Sequence, residues 1–335
     1  MERRTIGAAA LEVGAVGLGC MPMSWAYTAS QRRGEESLRA VHTALDLGAS
    51  LLDTADMYGP FTNELLLGRV LKARRAEAFV STKVGLQVGD QHVVTNGRPG
   101  YVRRACDASL RRLRTGVIDL YQLHRPDPDV PVEETWGAMA ELVTAGKVRA
   151  LGFCAVGAAA RRGAGPYDAG RYDAVLGQLE RVQQVFPVSA VQAELSVWSP
   201  GALWGLLPWC AARGVGFLAA MPLGSGFLSG TLTPGEGFEP EDARARHPRF
   251  TAYAMASNQA LVVGLRQIAR RHGPQVTAAQ VALAWVLAQG PHVVPVPGTK
   301  RERWAAENAR AAGVLLTADD LAEIAALPAA VGSWD

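Results

Sequence analysis

The chain predicts a single (β/α)8 barrel of the TIM class, and three observations carry the prediction. Apolar runs of strand length alternate with runs of helical period about eight times along the sequence. Three of those runs close on a chemistry-bearing side chain: Leu51-Leu52 on Asp53, Ala78-Phe79-Val80-Ser81-Thr82 on Lys83, and Ile118-Asp119-Leu120-Tyr121-Gln122-Leu123 on His124. In a parallel barrel such strand ends share one face. The length, 335 residues at 49% hydrophobic, suits one barrel domain over 1–335 and exceeds a small sandwich. A doubly wound sheet ranks second.

The elements follow in order. Short apolar pieces flanking Gly7 and Gly14 predict a hairpin over 5–13 that caps the barrel floor, and 15–20 is the first barrel strand. The helix over 35–47 repeats Leu38, Val41 and Leu45 at helical spacing and stops at Gly48. Strand 50–55, helix 62–73, strand 78–84, helix 99–114, strand 117–124, helix 132–145 and strand 148–154 continue the alternation. Pro99 opens its helix and Gly146 follows the next, as the preference for Pro at helix starts and Gly past helix ends requires. The later units are helix 171–185, strand 190–196, helix 201–213, strand 215–221, helices 256–272 and 277–289, strand 293–297 and helix 301–312.

Two stretches interrupt the rhythm. Gly157 to Gly170 and Thr231 to Arg249 are rich in Gly and Pro or Arg and follow the fifth and seventh strands. Both fall on the C-terminal face, where long loops are functional or mobile; a tolerated surface insertion is the alternative.

Composition excludes several classes. A formal charge of +3 with no long basic run gives little support to nucleic-acid or membrane binding. Arg outnumbers Lys, which occurs only at 72, 83, 147 and 300, a bias that genome base composition explains as readily as phosphate affinity. Cys20, Cys106, Cys154 and Cys210 are scattered, with no C-x-x-C pair and no His at metal-ligand spacing, so no metal and a reduced, cytoplasmic setting are expected. The N-terminus lacks a signal-peptide core, and no run reaches membrane-spanning length.

The strand-end residues cohere as chemistry. Tyr58 stands five residues after Asp53, on the turn into the next helix. A free phenol has a pKa of about 10; an ammonium beside it, held by a carboxylate, would make it a usable proton donor. That assigns Tyr58, Lys83 and Asp53, with a neutral His124 to orient a carbonyl oxygen or relay the proton. Singly, Tyr58, Lys83 and Asp53 each have an ordinary structural role: a rim aromatic, a solvated charge, a cap.

These residues sit in a longer series of motifs: Asp53-Thr54-Ala55-x-x-Tyr58-Gly59, Asn63-Glu64-x-x-Leu67-Gly68, Ser81-Thr82-Lys83, Ile118 to His124, Gly146-Lys147-Val148-Arg149 and Val296-Pro297-Gly298-Thr299-Lys300. In this order the chain resembles the aldo-keto reductases nearly end to end. The resemblance implies NADPH or NADP+ laid across the barrel mouth. It assigns Gln192 to the carboxamide, Leu223-Gly224-Ser225 to the pyrophosphate, and Gly298, Thr299, Lys300, Arg303, Glu307 and Asn308 to the adenosine end. No G-x-G-x-x-G supports a Rossmann site instead. The cations Lys300, Arg301 and Arg303 beside a helix start suit a 2′-phosphate.

Three positions depart from the family pattern. Gly152-Phe153 lead to Cys154-Ala155 where Ser and a polar residue are common, and Cys154 is carried over as a cofactor contact. Ala220-Met221 replace an aromatic that stacks on nicotinamide, and Leu195 replaces a Tyr.

The resemblance implies reduction of an aldehyde or ketone to an alcohol. Met21, Trp25, Met57 and Trp198 are expected at the pocket rim, favouring an aromatic or otherwise apolar carbonyl partner, with core or rim packing as the alternative. A small-molecule carbonyl is the expected partner, without nucleic acid or membrane, and homo-oligomerisation is left open. Two alternatives remain: a cofactor-bound regulatory subunit with little turnover, and reduction of a conjugated C=C bond. Steroid-acting relatives of the latter kind carry Glu where His124 stands. A barrel lyase or isomerase would need a metal triad or Schiff-base setting that the motifs do not offer.

Overall fold

The computed structural model describes residues 1–7, 10–89, 92–157 and 169–332. A hairpin of β1 (Arg3–Ile6) and β2 (Leu11–Gly14) comes first, in the register Ile6 opposite Leu11. The barrel strands begin with β3 (Leu18–Gly19), β4 (Leu51–Asp53) and β5 (Phe79–Val84). A second hairpin, β6 (Leu86–Val88) with β7 (Val93–Thr95), precedes β8 (Ile118–Leu123), β9 (Val148–Cys154), β10 (Ala190–Glu194), β11 (Gly216–Ala220) and β12 (Val293–Pro295). The eight barrel strands pair in parallel in the order β12-β11-β10-β9-β8-β5-β4-β3. The ends join: Gly17 N–H donates to Pro295 O at 2.9 Å and Gly19 N–H to Pro297 O at 3.0 Å, with Gly19 bridging Gly298. Closure removes the sheet edges, and with them the unpaired backbone groups of edge strands.

Six helices each follow a barrel strand: α1 (Gly34–Asp46), α2 (Thr62–Arg74), α3 (Pro99–Leu113), α4 (Val132–Thr144), α5 (Asp173–Val185) and α6 (Leu206–Arg213). α7 (Ala252–Ser257), α8 (Gln259–Arg271) and α9 (Ala278–Leu287) lie between β11 and β12, and α10 (Glu302–Arg310) and α11 (Ala318–Ala325) close the chain. α9 is apolar nearly all round and buried at every position, so it is a core helix rather than an amphipathic one.

Side-chain alternation along the strands decides what the barrel interior holds. Leu51, Phe79, Leu120, Ala150, Ala190, Leu218 and Val294 form an apolar floor, plugged from below by Ile6, Leu11 and Val13 of the hairpin. Two residues further along the same strands, the inward positions become Asp53, Ser81, Gln122, Gly152 and Gln192. The register sets Asp53 beside Ser81, Gln122 beside Gly152 and Gln192 beside Cys154. Gly152 makes room for this layer, since a Cβ there would lie 2.8 Å from Gln122 Cγ.

Several boundaries differ from the sequence expectation. The hairpin runs from 3 to 14 rather than 5 to 13, and the first strand pairs only at 18–19. The helix expected over 256–272 starts at Ala252 and breaks at Asn258, whose side chain exchanges two 2.8 Å hydrogen bonds with the Val331 backbone. The helix expected from 201 opens as a 3-10 turn, Gly201–Trp204, before α6. The β6–β7 hairpin and α11 were not expected; a Thr317–Asp320 capping box is the local signal for α11. Of the loop expected over 157–170, residues 158–168 lie outside the described residues.

Candidate active site

The turn after β4 is built to hold one side chain. Phe61 takes a left-handed conformation at φ 67°, and its N–H returns to Asp56 O at 2.9 Å, closing the turn that presents Tyr58. Asn63 then pins the turn to its surroundings, donating to Cys20 O at 2.9 Å and Ser24 Oγ at 2.7 Å while accepting from Thr54 Oγ1 at 2.7 Å. Glu64 accepts from Thr82 Oγ1 at 2.7 Å and Arg112 Nε at 2.6 Å, which ties α2 to β5 and α3. The Asn63-Glu64 pair is therefore scaffolding for Tyr58, and both side chains are fully buried.

Behind Tyr58 lies a buried polar network centred on Asp53. Its Oδ1 accepts from Ser81 Oγ at 2.9 Å and Gln122 Nε2 at 3.1 Å, and its Oδ2 from Lys83 Nζ at 2.6 Å and Gln192 Nε2 at 2.9 Å. Lys83 Nζ also donates to Thr54 O at 2.8 Å and sits 5.3 Å from the Tyr58 ring centroid. The His124 ring meets Tyr58 edge-on at 6.0 Å. Three strands and one turn thus bring Asp53, Tyr58, Lys83 and His124 together on the C-terminal face.

Electrostatics sets their protonation. Burial, the largest influence on Lys83, disfavours its charge, but Asp53 together with Tyr58 and Cys154 outweighs it, and the pKa rises. Burial pushes the Tyr58 phenol up to about 12, with the Lys83 ammonium pulling it down and Asp53 pushing it up. Lys83 pulls in the expected direction, but in this cavity the loss of water outweighs it. His124 lies well below the ordinary histidine value because of burial, then Lys83, then Arg125, so its imidazole is neutral. Its Nδ1 is buried without a hydrogen-bond partner among the described residues.

These groups open into a cleft of about 610 Å³, within the size range of small-molecule sites. Met21, Trp25 and Met57 line it, as do Cys154, Gln192, Leu223, Ser225, Gly298, Thr299 and Lys300. Other expected residues stand elsewhere. Trp198 is fully buried, packing on Phe227 at 4.3 Å and Phe250 at 5.6 Å between ring centroids, because the loop after β10 turns it inward. Gly224 lies under it, where a Cβ would come within 2.5 Å of the indole. Arg303 stacks on Trp304 at 3.9 Å and lines an outer groove with Glu36 and Arg39 rather than the cleft. Glu307 accepts from Thr277 Oγ1 at 2.8 Å, and Asn308 is buried in α10; neither lines the cleft.

Residues that sequence reasoning passed over complete the rim. Asp242 accepts from Thr28 N at 3.0 Å and Thr28 Oγ1 at 3.2 Å, and Ala243 N–H donates to Ala26 O at 2.8 Å, so the long loop after β11 is strapped to the turn after β3. Arg244 pairs with Asp242 at 2.7 Å and joins Lys300 and Arg301 on one side of the cleft. Burial, then Arg32, Arg301 and Arg244, bring the Lys300 ammonium down to about 8, despite its bonds to Thr28 O at 2.9 Å and Tyr27 O at 3.4 Å. Only the position of the loop after the seventh strand hinted at Arg244; its charge in an Arg-rich sequence carried no signal. No group of three or more potential metal ligands occurs among the described residues. Nor, among them, is any helix long and apolar enough to cross a membrane.

Comparison with known proteins places the chain. The profile of the aldo/keto reductase family matches residues 15–329. A probable aldo-keto reductase 1 from Glycine max is 35% identical over 321 residues, covering 95% of this chain and 86% of that protein. The glycerol dehydrogenase AKR11B4 from Gluconobacter oxydans superposes with a TM-score of 0.81 at 27% identity, covering 96% of this chain and 94% of its own. An aldo-keto reductase from Klebsiella pneumoniae, solved in complex with NADPH, does so with 0.69 at 24% identity over 97% and 94%.

Proposed function

We propose that this chain, which belongs to the aldo/keto reductase family, uses NADPH to reduce an aldehyde or ketone to an alcohol. The observation that carries the reading is the juxtaposition of a protonated phenol, a buried ammonium–carboxylate pair and a neutral imidazole at one end of a cleft. The other end of that cleft is cationic, with Lys300, Arg301 and Arg244 suited to phosphate oxygens. Gln192 gives its amide N–H to Asp53, which leaves Oε1 as an acceptor for the carboxamide N–H of nicotinamide. The space over Ala220 is open to the cleft.

NADPH, when bound, supplies the hydride. The protein supplies the rest. Tyr58 donates the proton to the carbonyl oxygen; a phenol that stays protonated near neutrality is always loaded for that step. Lys83, kept charged by Asp53, stabilises the phenolate left behind. His124, neutral, donates a hydrogen bond that orients the carbonyl oxygen between the two rings. The apolar walls at Met21, Trp25 and Met57 exclude water from the reacting atoms.

Tyr58→Phe removes only the transferable proton. NADPH-dependent reduction of a reactive aldehyde should fall by roughly 10²- to 10⁴-fold, the usual contribution of general acid catalysis, while NADPH binding persists. Full turnover in that variant would overturn the assignment. Tight cofactor binding with no turnover on aldehydes, ketones or enones in the parent protein would favour a regulatory subunit, and turnover of enones alone would favour C=C reduction.

A further inference from the structure

Five cationic side chains line the cleft among the described residues: Lys83, Arg125, Arg244, Lys300 and Arg301. Lys83 faces Asp53, Arg244 faces Asp242, and Arg301 lies 3.8 Å from Glu36. Lys300 belongs to the cationic cluster at the β11–β12 side. Arg125 fits none of these arrangements. It follows His124 at the end of β8, across the barrel from that cluster, on the side where Tyr58 and His124 stand.

Among the described residues, the Arg125 guanidinium is held in place without being neutralised. Its Nη1 donates to His124 O at 2.9 Å and lies 4.0 Å from Cys154 Sγ. Gly157, at φ 67°, lets the other nitrogen lie against the backbone, since a Cβ there would come within 2.9 Å of Nη2. Asp127, the nearest acid in sequence, is buried and committed to Gly97 N at 2.8 Å and Asp129 N at 3.0 Å. No carboxylate among the described residues pairs with Arg125. A half-buried guanidinium with spare donors, in a cleft otherwise walled here by Met21, Trp25, Met57, Leu86 and Val156, is matched by an anion that arrives with the ligand.

We infer that Arg125 anchors a carboxylate on the carbonyl substrate, so that the preferred substrates are oxo acids rather than neutral aldehydes or ketones. The inference rests on the carbonyl-reductase reading for its chemistry. A carboxylate suits the site better than a phosphate ester, because a single planar fork satisfies a monoanion whereas a dianion calls for further cations or a helix N-terminus. The NADPH phosphates are served at the opposite side, so Arg125 is not needed for them.

The test uses the full-length protein with 2-, 3- and 4-formylbenzoate, each against its methyl ester. Every pair differs in the one charge, and the three positions scan the spacing between carbonyl and carboxylate. For at least one position the acid should exceed the ester in kcat/KM by about ten- to a hundredfold, as expected of a charge-assisted fork, with the difference in KM. Arg125→Gln should collapse that ratio toward one, and Arg125→Lys should restore part of it. Equal rates for acid and ester at all three positions in the parent protein, which needs no variant to fold, would overturn the proposal. So would a ratio that survives in a folded Arg125→Gln. If neither acid nor ester is turned over, the carbonyl-reductase reading fails. Arg125 is then judged by Trp fluorescence titration of the NADP+-loaded protein with 4-(hydroxymethyl)benzoate and its methyl ester: tighter binding of the acid, lost in Arg125→Gln, supports the anchor, and equal binding refutes it.

Discussion

Lys83 Nζ lies 2.6 Å from Asp53 Oδ2 with the Lys83 side chain 1% exposed, so the barrel holds an ion pair out of water at the base of its cleft. The pair is not isolated, because Ser81, Gln122 and Gln192 satisfy the remaining acceptor positions of the carboxylate. A buried pair of this kind is strongly destabilising to break from one side, since it leaves an uncompensated charge. Asp53→Asn should therefore lower stability by roughly 3–5 kcal/mol and depress carbonyl reduction as well. Denaturant unfolding and steady-state rates on one preparation check both; an unchanged unfolding midpoint would show that Lys83 finds another partner.

The pH dependence of reduction follows from Tyr58 and His124. Tyr58 at about 12 stays protonated until strongly basic pH, so no loss of the acid is expected near neutrality. His124, pushed well below the ordinary value by burial and two cations, stays neutral down to well under about 6.5. With NADPH saturating, the profile of kcat/KM for the carbonyl substrate should be flat from about pH 6.5 to about 9, within the range the Tyr58 and His124 shifts leave untouched. A limb with a midpoint near 7 would show that one of these groups titrates in solution as it does in a free peptide.

Cofactor affinity should carry the signature of Lys300. Its ammonium titrates at about 8 because burial and neighbouring guanidinium groups disfavour the charge. If the charged form binds phosphate as proposed, the affinity of the free protein for NADPH should weaken as pH rises through that value. Lys300→Arg keeps its charge throughout and should flatten the slope. Tryptophan quenching titrations at several pH values decide it, and parallel curves for the two proteins would remove Lys300 from the phosphate contacts.

Ala220→Tyr addresses the missing aromatic beside the nicotinamide position. Ala220 lines the cleft at the end of β11. Neither Phe217 nor Trp198 takes the space, since both are fully buried in the hydrophobic core outside the cleft lining. A stacked ring adds roughly 0.5 to 1.5 kcal/mol, so NADPH should bind about two- to tenfold more tightly. Weaker binding would show that the ring face is already covered when the cofactor is in place.

The alternation of strand and helix, the closing of three strands on Asp53, Lys83 and His124, and the place of Tyr58 on a turn were all legible in the sequence. They are local: hydrophobic period, strand length and residue type suffice to state them. Ion-pair geometry, the protonation of the phenol and the strapping of Asp242 to Thr28 were not. Each joins segments separated by dozens to hundreds of residues, and no periodicity encodes the distance between them. Trp198 and Arg303 show the same limit from the other side. Trp198 stood as pocket rim or core packing and Arg303 came to the adenosine end by resemblance; backbone direction after β10 puts Trp198 in the core, and on α10 Arg303 stacks on Trp304. Sequence determined which chemistry could be assembled. The closed barrel decided which side chains meet, because Gly17 and Gly19 bonding to Pro295 and Pro297 bring the first and last strands, and every loop between them, around one mouth.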